Sequence, residues 1–453
     1  METGNLRAAG ANPIDMGRWG SPWLLLAGLP PVLHMLMFGY DLQHPDRFLN
    51  ADRAIARMQV IEGYEQILRD GGDSVSYLTA HGIIGDWLPQ AILYLCGGQS
   101  AVIAVQVLLA LLSMLWVRDI GLRLGLSART ARAAALLYGL LPHTLVLPHQ
   151  LASEAIFVPL VVGSFALFAR AAETRGLAGA GALLGVATLV RPVTLLWPLL
   201  CAPFTPATPR ARVTYLLAAL GPLLLWMLFI FGASGEFSMG RSSYDLDHNL
   251  YLRAQHIAAT LPASERSVRS GGDPTLSLRE YAAFVSDHPG AVLAHSARDL
   301  LVLSTKSGVE RIALDYLDFA PAQRIELQSP ANGWRRQLEL HGVWTGLREI
   351  LNRNPSLTLA AASGALLFSG LMLLAAFGAF VWLRAALDDT AASTRGLRIM
   401  LAAFPLYIVT VSQVVDAAQS RHRAPAEFAL CLLAAAGVAT LLRGLKSEAR
   451  HAR

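Results

Sequence analysis

Residues 40–90 read YDLQHPDRFLNADRAIARMQVIEGYEQILRDGGDSVSYLTAHGIIGDWLPQ. This is the first long polar stretch of the chain, and it stands between two strongly apolar ones. It carries Asp41, Asp46, Asp52, Asp70, Asp73 and Asp86, together with His44 and His81. Its middle, ADRAIARMQVIEGYEQILRD, repeats apolar residues at helical spacing, which fits an amphipathic helix lying in a membrane interface. A carboxylate-rich loop at the mouth of a bundle of apolar segments is where chemistry is expected. The rest of the chain reads as an all-α membrane scaffold that holds this loop over a bilayer.

Composition agrees. The chain has 453 residues, 54% hydrophobic and 15% charged, with a mean hydropathy of +0.44. A soluble protein has roughly 25% charged residues, and the deficit suits a polytopic protein whose charges are confined to loops. The net charge of +5 comes from arginines clustered between apolar runs, with no aromatic-interleaved basic patch. Nucleic acid is therefore not an expected partner. Cys96, Cys201 and Cys431 all fall in or beside apolar segments without a CxxC or Cys/His pattern. They read as small buried apolar residues rather than a disulfide framework or a zinc site. Arg7 and Arg18 precede the first apolar run, and no small-residue cleavage site follows it. An uncleaved first helix is expected.

The apolar segments predict about ten membrane helices. They lie near 21–39, 87–116, 133–148, 155–169, 177–204 (two short helices meeting at Arg191-Pro192), 213–232, 357–383, 398–415 and 425–442. At about 1.5 Å per residue, roughly 20 residues cross the hydrocarbon core. Short Arg-rich gaps stay cytoplasmic. Those at 117–132, 170–176, 205–212 and 384–398 fall on one side together with the C-terminus. This gives a cytoplasmic tail at 1–20 and a membrane core at 21–232 with its first outer loop at 40–86. A second outer region at 233–356, closing helices at 357–443 and a cytoplasmic tail at 444–453 complete the chain. Both termini are expected inside a plasma membrane. Abundant Ala, Leu and Arg with little Lys suggest a GC-rich bacterium, hence an inner membrane.

Several charged residues are candidates for a site, and each also has a plain structural use. A loop carboxylate with a raised pKa can act as a base in glycosyl transfer, or it can simply be solvated. Asp46 and Asp52 stand out because each lies in or beside the apolar-periodic segment close to the first helix. Asp86 begins the second helix and suits a cap equally well. Ionisable groups within membrane spans default to functional hypotheses. Arg191 is one, with snorkelling as its alternative. Glu154, after Ser153, is another, with helix capping as its alternative. Arg421-His422-Arg423 is a basic cluster on the outer side, against the charge trend, and suits a lipid phosphate or a solvated loop.

Five segments together resemble the GT-C superfamily of polytopic glycosyltransferases, within the group of the protein O-mannosyltransferases and the lipid A aminoarabinose transferase. They are Asp52 leading ADRAIARMQVIEGYEQIL, HGIIGDWLPQAILYLCGG, HQLASEAIFVPLVV, GALLGVATLVRPVTLLWPLL and SRHRAPAEFALCLLAAAG. LDHNLYLRA and REYAAFVSDHPGAVL look like outer-loop elements of bacterial members. The resemblance implies a catalytic aspartate in the first outer loop, Asp52 or Asp46, and a polyprenyl-phosphate-linked sugar as donor. It implies phosphate or substrate contacts from Arg191, Arg421, His422 and Arg423, with Glu154, His81 and Asp86 beside them. Members of the superfamily divide into metal-dependent and metal-independent enzymes, and Asp52 with Asp86 is the pair that could share a divalent ion. Two departures stand out: Asp52 is followed by Arg53 where many members have an acidic pair, and little chain follows the last helix.

The expected activity is transfer of a sugar from the lipid-linked donor to a hydroxyl of a glycan, lipid or protein acceptor on the outer face. The alternatives are a non-catalytic membrane subunit and a transporter or flippase of lipid-linked saccharide. The latter predicts charges deep in several helices and an internal repeat, neither of which the sequence displays.

Overall fold

In a bilayer core every backbone N–H and C=O must find a partner within the protein, so apolar segments become helices. The computed structural model follows this rule. It describes residues 21–49, 54–81, 84–170, 174–205, 208–235, 237, 242–261, 275–316, 355–388, 392–415 and 420–451. These are mostly helical, with no strand among them. The tail 1–20, Asp52, the stretch 317–354 and the side chain of Arg421 lie outside the described residues.

In chain order the helices are α1 (Ser21–Gln43), α2 (Ala54–Asp70), α3 (Ser74–Ala80), α4 (Ile84–Arg123), α5 (Ala128–Gly139), α6 (Pro142–Val146) and α7 (Glu154–Arg170). There follow α8 (Thr174–Val190), α9 (Trp197–Cys201), α10 (Pro209–Ser234), α11 (Ser242–Ala258), α12 (Leu278–Asp287), α13 (Pro289–Thr305) and α14 (Val309–Tyr316). The last three are α15 (Pro355–Asp388), α16 (Ala392–Val415) and α17 (Glu427–His451). Among the described residues six helices are long and apolar enough to cross a membrane, and a bent pair, α5 with 142–149, makes a seventh. The protein is thus an α-helical multi-pass membrane bundle. The two short helices expected to meet at Arg191-Pro192 are present as α8 and the shorter apolar run Pro192–Phe204, in which 3-10 turns flank α9. The Tyr407 hydroxyl reaches into that run and donates to the Val193 carbonyl at 2.7 Å.

Lipid tails are as apolar as leucine, so helices associate there through close packing rather than hydrophobic drive. Gly181 and Gly185 let α8 lie on the backbone of α10 at Tyr215 and Ala219. Gly378 and Gly437 do the same where α15 crosses α17. α7 is the central helix, buried along nearly its whole length. Its Phe165 packs against Trp197, Phe404 and Phe428, tying together α9, α16 and α17. α4 breaks at Gly97-Gly98, where Gly98 takes φ +64°, a conformation glycine adopts without steric cost.

α1 is inverted relative to a soluble helix. Its exposed face carries Leu25, Met35 and Leu36, as a lipid-facing surface should. Its buried positions are Pro30, His34 and Asp41, which share one face at helical spacing. The helix also runs beyond its expected end near 39 to Gln43, so Asp41 belongs to its last turn.

Candidate functional site

The site is organised by residues 141–154, LPHTLVLPHQLASE, every one of which is buried. Its prolines and the bend after α5 break regular helix, leaving carbonyls that need donors. Polar side chains supply them. Gln90 donates to the Ala152 carbonyl at 2.9 Å, and Arg57 donates to the Leu151 carbonyl at 3.2 Å. With its amide turned to suit its neighbours, Gln106 donates to the carbonyls of Pro148 (2.8 Å) and Gln150 (3.1 Å) and accepts from Gln90. Leu151 N–H bonds the Phe48 carbonyl at 2.9 Å, which fastens the loop after α1 onto this segment.

Three polar clusters hang on that segment. In the first, His149 Nδ1 lies 2.6 Å from Asp41 Oδ2, and His149 Nε2 lies 3.0 Å from His34 Nδ1. All three side chains are almost fully buried. Helix α14 covers them: Gln150 donates to Asp315 at 2.8 Å, and Tyr316 stands edge-on to His149 with its hydroxyl against Asp41. Burial, then the Asp41 and Asp315 carboxylates, push the Tyr316 hydroxyl well above its usual range, so it stays a donor. Arg47, also buried, stacks on Tyr40 at 4.2 Å from the ring centre and faces Tyr316 at 5.8 Å.

In the second cluster Arg57 forks onto Asp86 at 3.0 and 3.2 Å and reaches Ser153 Oγ at 3.2 Å. In the third, Glu427 Oε1 lies 2.7 Å from His143 Nδ1 and 3.3 Å from Arg423 Nε, while Glu154 pairs with Arg191. A narrow cleft opens there, lined by Tyr138, His143, Thr144, Glu154 and Glu427 among apolar side chains.

The residues expected from sequence separate in this geometry. Asp46 is exposed on the 3-10 turn Pro45–Leu49. His81 ends α3, its Nδ1 on the Tyr77 carbonyl at 2.9 Å and its ring stacked on Tyr77. Asp86 is in the first turn of α4, occupied by Arg57. Both of its oxygens face the guanidinium; Asp52, its expected partner in holding an ion, lies outside the described residues, among which no group of three or more His, Cys, Asp or Glu could hold one. Glu154 and Arg191 are brought together, as are Arg423 and α17. His422 is buried in the 3-10 stretch Ser420–Ala426. Arg423 is buried too. It donates to the carbonyls of Leu303 and Lys306 and lies 3.6 Å over the Phe368 ring. Its guanidinium thus holds the junction after α13.

Sequence reasoning passed over His34, His143, His149, Glu427 and Tyr316, and took Asp41 as one loop acid among many. A signal was present: two histidines inside a proline-broken apolar run, and a histidine within the first span, are costly placements. No known protein family, curated protein or solved structure matches this chain.

Proposed function

We propose that the protein is an integral-membrane glycosyltransferase that moves a sugar from a polyprenyl-phosphate donor to an acceptor hydroxyl at the outer face. The observation that carries this reading is the burial of a carboxylate from the start of the first polar stretch, Asp41, against His149 and Tyr316. A reaction that removes a hydroxyl proton needs a basic group in a dry, fixed setting. Asp46 is exposed and offers no such setting, so Asp41 is the better first-loop candidate, with Asp52 retained from the resemblance.

Phosphate binding falls to Arg191, which is half-buried beside the cleft, and to Arg421. Arg423 is left out because its donors are engaged with backbone carbonyls and Glu427. The lipid chain of the donor would lie along the apolar helix surfaces. α14 brings the second polar region over Asp41, where an acceptor would be selected.

The test is transfer by purified protein from a panel of polyprenyl-phosphate sugars to hydroxyl acceptors. Labelled product with wild type is the expected result. Movement of intact lipid-linked sugar across vesicles, with no transfer to any acceptor, would replace this reading by the flippase one.

A further inference from the structure

The first cluster contains a constraint on where protons sit. An ionised carboxylate only accepts hydrogen bonds, so the Asp41 contact assigns the Nδ1 proton of His149. Neutral His149 then presents a lone pair at Nε2. Among the described residues its partner is His34 Nδ1 at 3.0 Å, which must therefore carry the proton of that bond. This leaves the His34 Nε2 atom as an unprotonated imidazole nitrogen. It is buried and has no hydrogen-bond partner among the described residues.

We propose that Asp41, His149 and His34 form a proton relay whose receiving atom is His34 Nε2. The ligand that fits is an O–H donor, either water or the hydroxyl of an acceptor. The donor gives its proton to His34 Nε2. His34 passes its Nδ1 proton to His149 Nε2, and His149 becomes an imidazolium paired with the Asp41 carboxylate. Neither ring turns, and both contacts survive with donor and acceptor exchanged in the His–His bond. The oxygen keeps the electron pair of its broken O–H bond. In the glycosyl transfer proposed above, on which this step's catalytic meaning rests, that oxygen bonds the anomeric carbon as the sugar–phosphate bond breaks. The phosphate oxygen takes that second pair. Passage in reverse returns the proton to water or to the phosphate. Among the described residues, Tyr316 of α14 faces the relay directly, with Asp315 beside it on Gln150, while Arg47 and His44 stack on Tyr40 and Arg47 also faces Tyr316.

The test has two arms. In the first, 15N-histidine spectra of the full-length protein in nanodiscs, assigned with His34→Asn and His149→Gln, read the tautomers near neutral pH. Both His34 and His149 are expected as Nδ1–H forms. His34 as an Nε2–H tautomer at rest overturns the relay whether or not the protein transfers sugar. In the second arm, His34→Asn keeps a donor at the Nδ1 position and removes only the receiving nitrogen. Transfer should fall about 100-fold or more with unchanged donor affinity, and added imidazole should restore part of it. A fully active His34→Asn means that the pair is structural only. Spectra as expected with no transfer by wild type would leave the relay standing and remove the glycosyltransferase reading.

Discussion

His143 Nδ1 and Glu427 Oε1 lie 2.7 Å apart although 284 residues separate them in the chain. Glu427 also receives Arg423, and Arg423 in turn holds the backbone after α13. One carboxylate therefore joins α6, the start of α17 and the second polar region. Removing one partner of a buried pair leaves the other uncompensated, at a cost of about 3–5 kcal/mol. Glu427→Ala should lower thermal stability strongly in detergent, and Glu427→Gln less so. Arg423→Lys should resemble Arg423→Ala, because an ammonium cannot span two carbonyls and a carboxylate as the guanidinium fork does. Equal melting temperatures for wild type and Arg423→Lys would refute that assignment.

The crossing of α15 and α17 depends on Gly378. A Cβ placed there would overlap the Leu433 carbonyl and crowd Gly437, whereas one at Gly370 meets nothing within 4 Å. Gly378→Ala should destabilise by about 1–3 kcal/mol or more through overpacking, and Gly370→Ala should be close to neutral. Detergent melting curves of the pair check this directly.

Arg57 is expected to matter more than its ion pair suggests. It bonds Asp86, Ser153 and the Leu151 carbonyl together, so its loss leaves irregular buried backbone without a donor. Arg57→Ala should cost about 1.5–3 kcal/mol. Asp86→Asn should cost less, since that side chain is partly exposed and the contact to Leu151 is kept. Hydrogen exchange of residues 147–153 would separate the two variants. A larger opening in Asp86→Asn than in Arg57→Ala would contradict the assignment.

The α11–α13 layer should loosen in acid. Burial, and then the charge of Arg253, hold the His295 imidazole below its usual range, with Asp299 opposing and Arg298 and His256 adding. The unfolded chain thus binds a proton more readily than the folded one, and stability rises with pH. The stabilising effect is complete above about pH 6.5 and is lost as pH falls from there toward the lower folded value. Limited proteolysis of this layer should quicken between pH 7.5 and 5, and His295→Asn should flatten the change. An unchanged pH response in that variant would assign the effect elsewhere.

The helices were readable because the bilayer permits little else: the apolar segments from Ser21 to Leu442 all contain helix where they are described. The break at Arg191-Pro192 was readable from its proline, whereas the bond that Tyr407 makes to the Val193 carbonyl from 214 residues away was not. Asp41 was misplaced for a local reason. An apolar run ends at Gly39, yet the helix goes on to Gln43, since its last turn packs a polar face inward rather than entering water. The bend at 140–153 depends on Gln90, Gln106 and Arg57, and no local pattern announces which distant side chains will satisfy a broken backbone.

The central claim is that Asp41 serves proton removal in a glycosyl transfer. The most direct measurement is single-turnover release of polyprenyl phosphate from bound donor by wild type, Asp41→Asn, Asp46→Asn and Asp52→Asn, with donor affinity measured alongside. The expected result is turnover by wild type and Asp46→Asn, and loss of about 100-fold or more in Asp41→Asn at unchanged affinity. Full turnover by Asp41→Asn, with loss in Asp46→Asn or Asp52→Asn instead, would contradict the account.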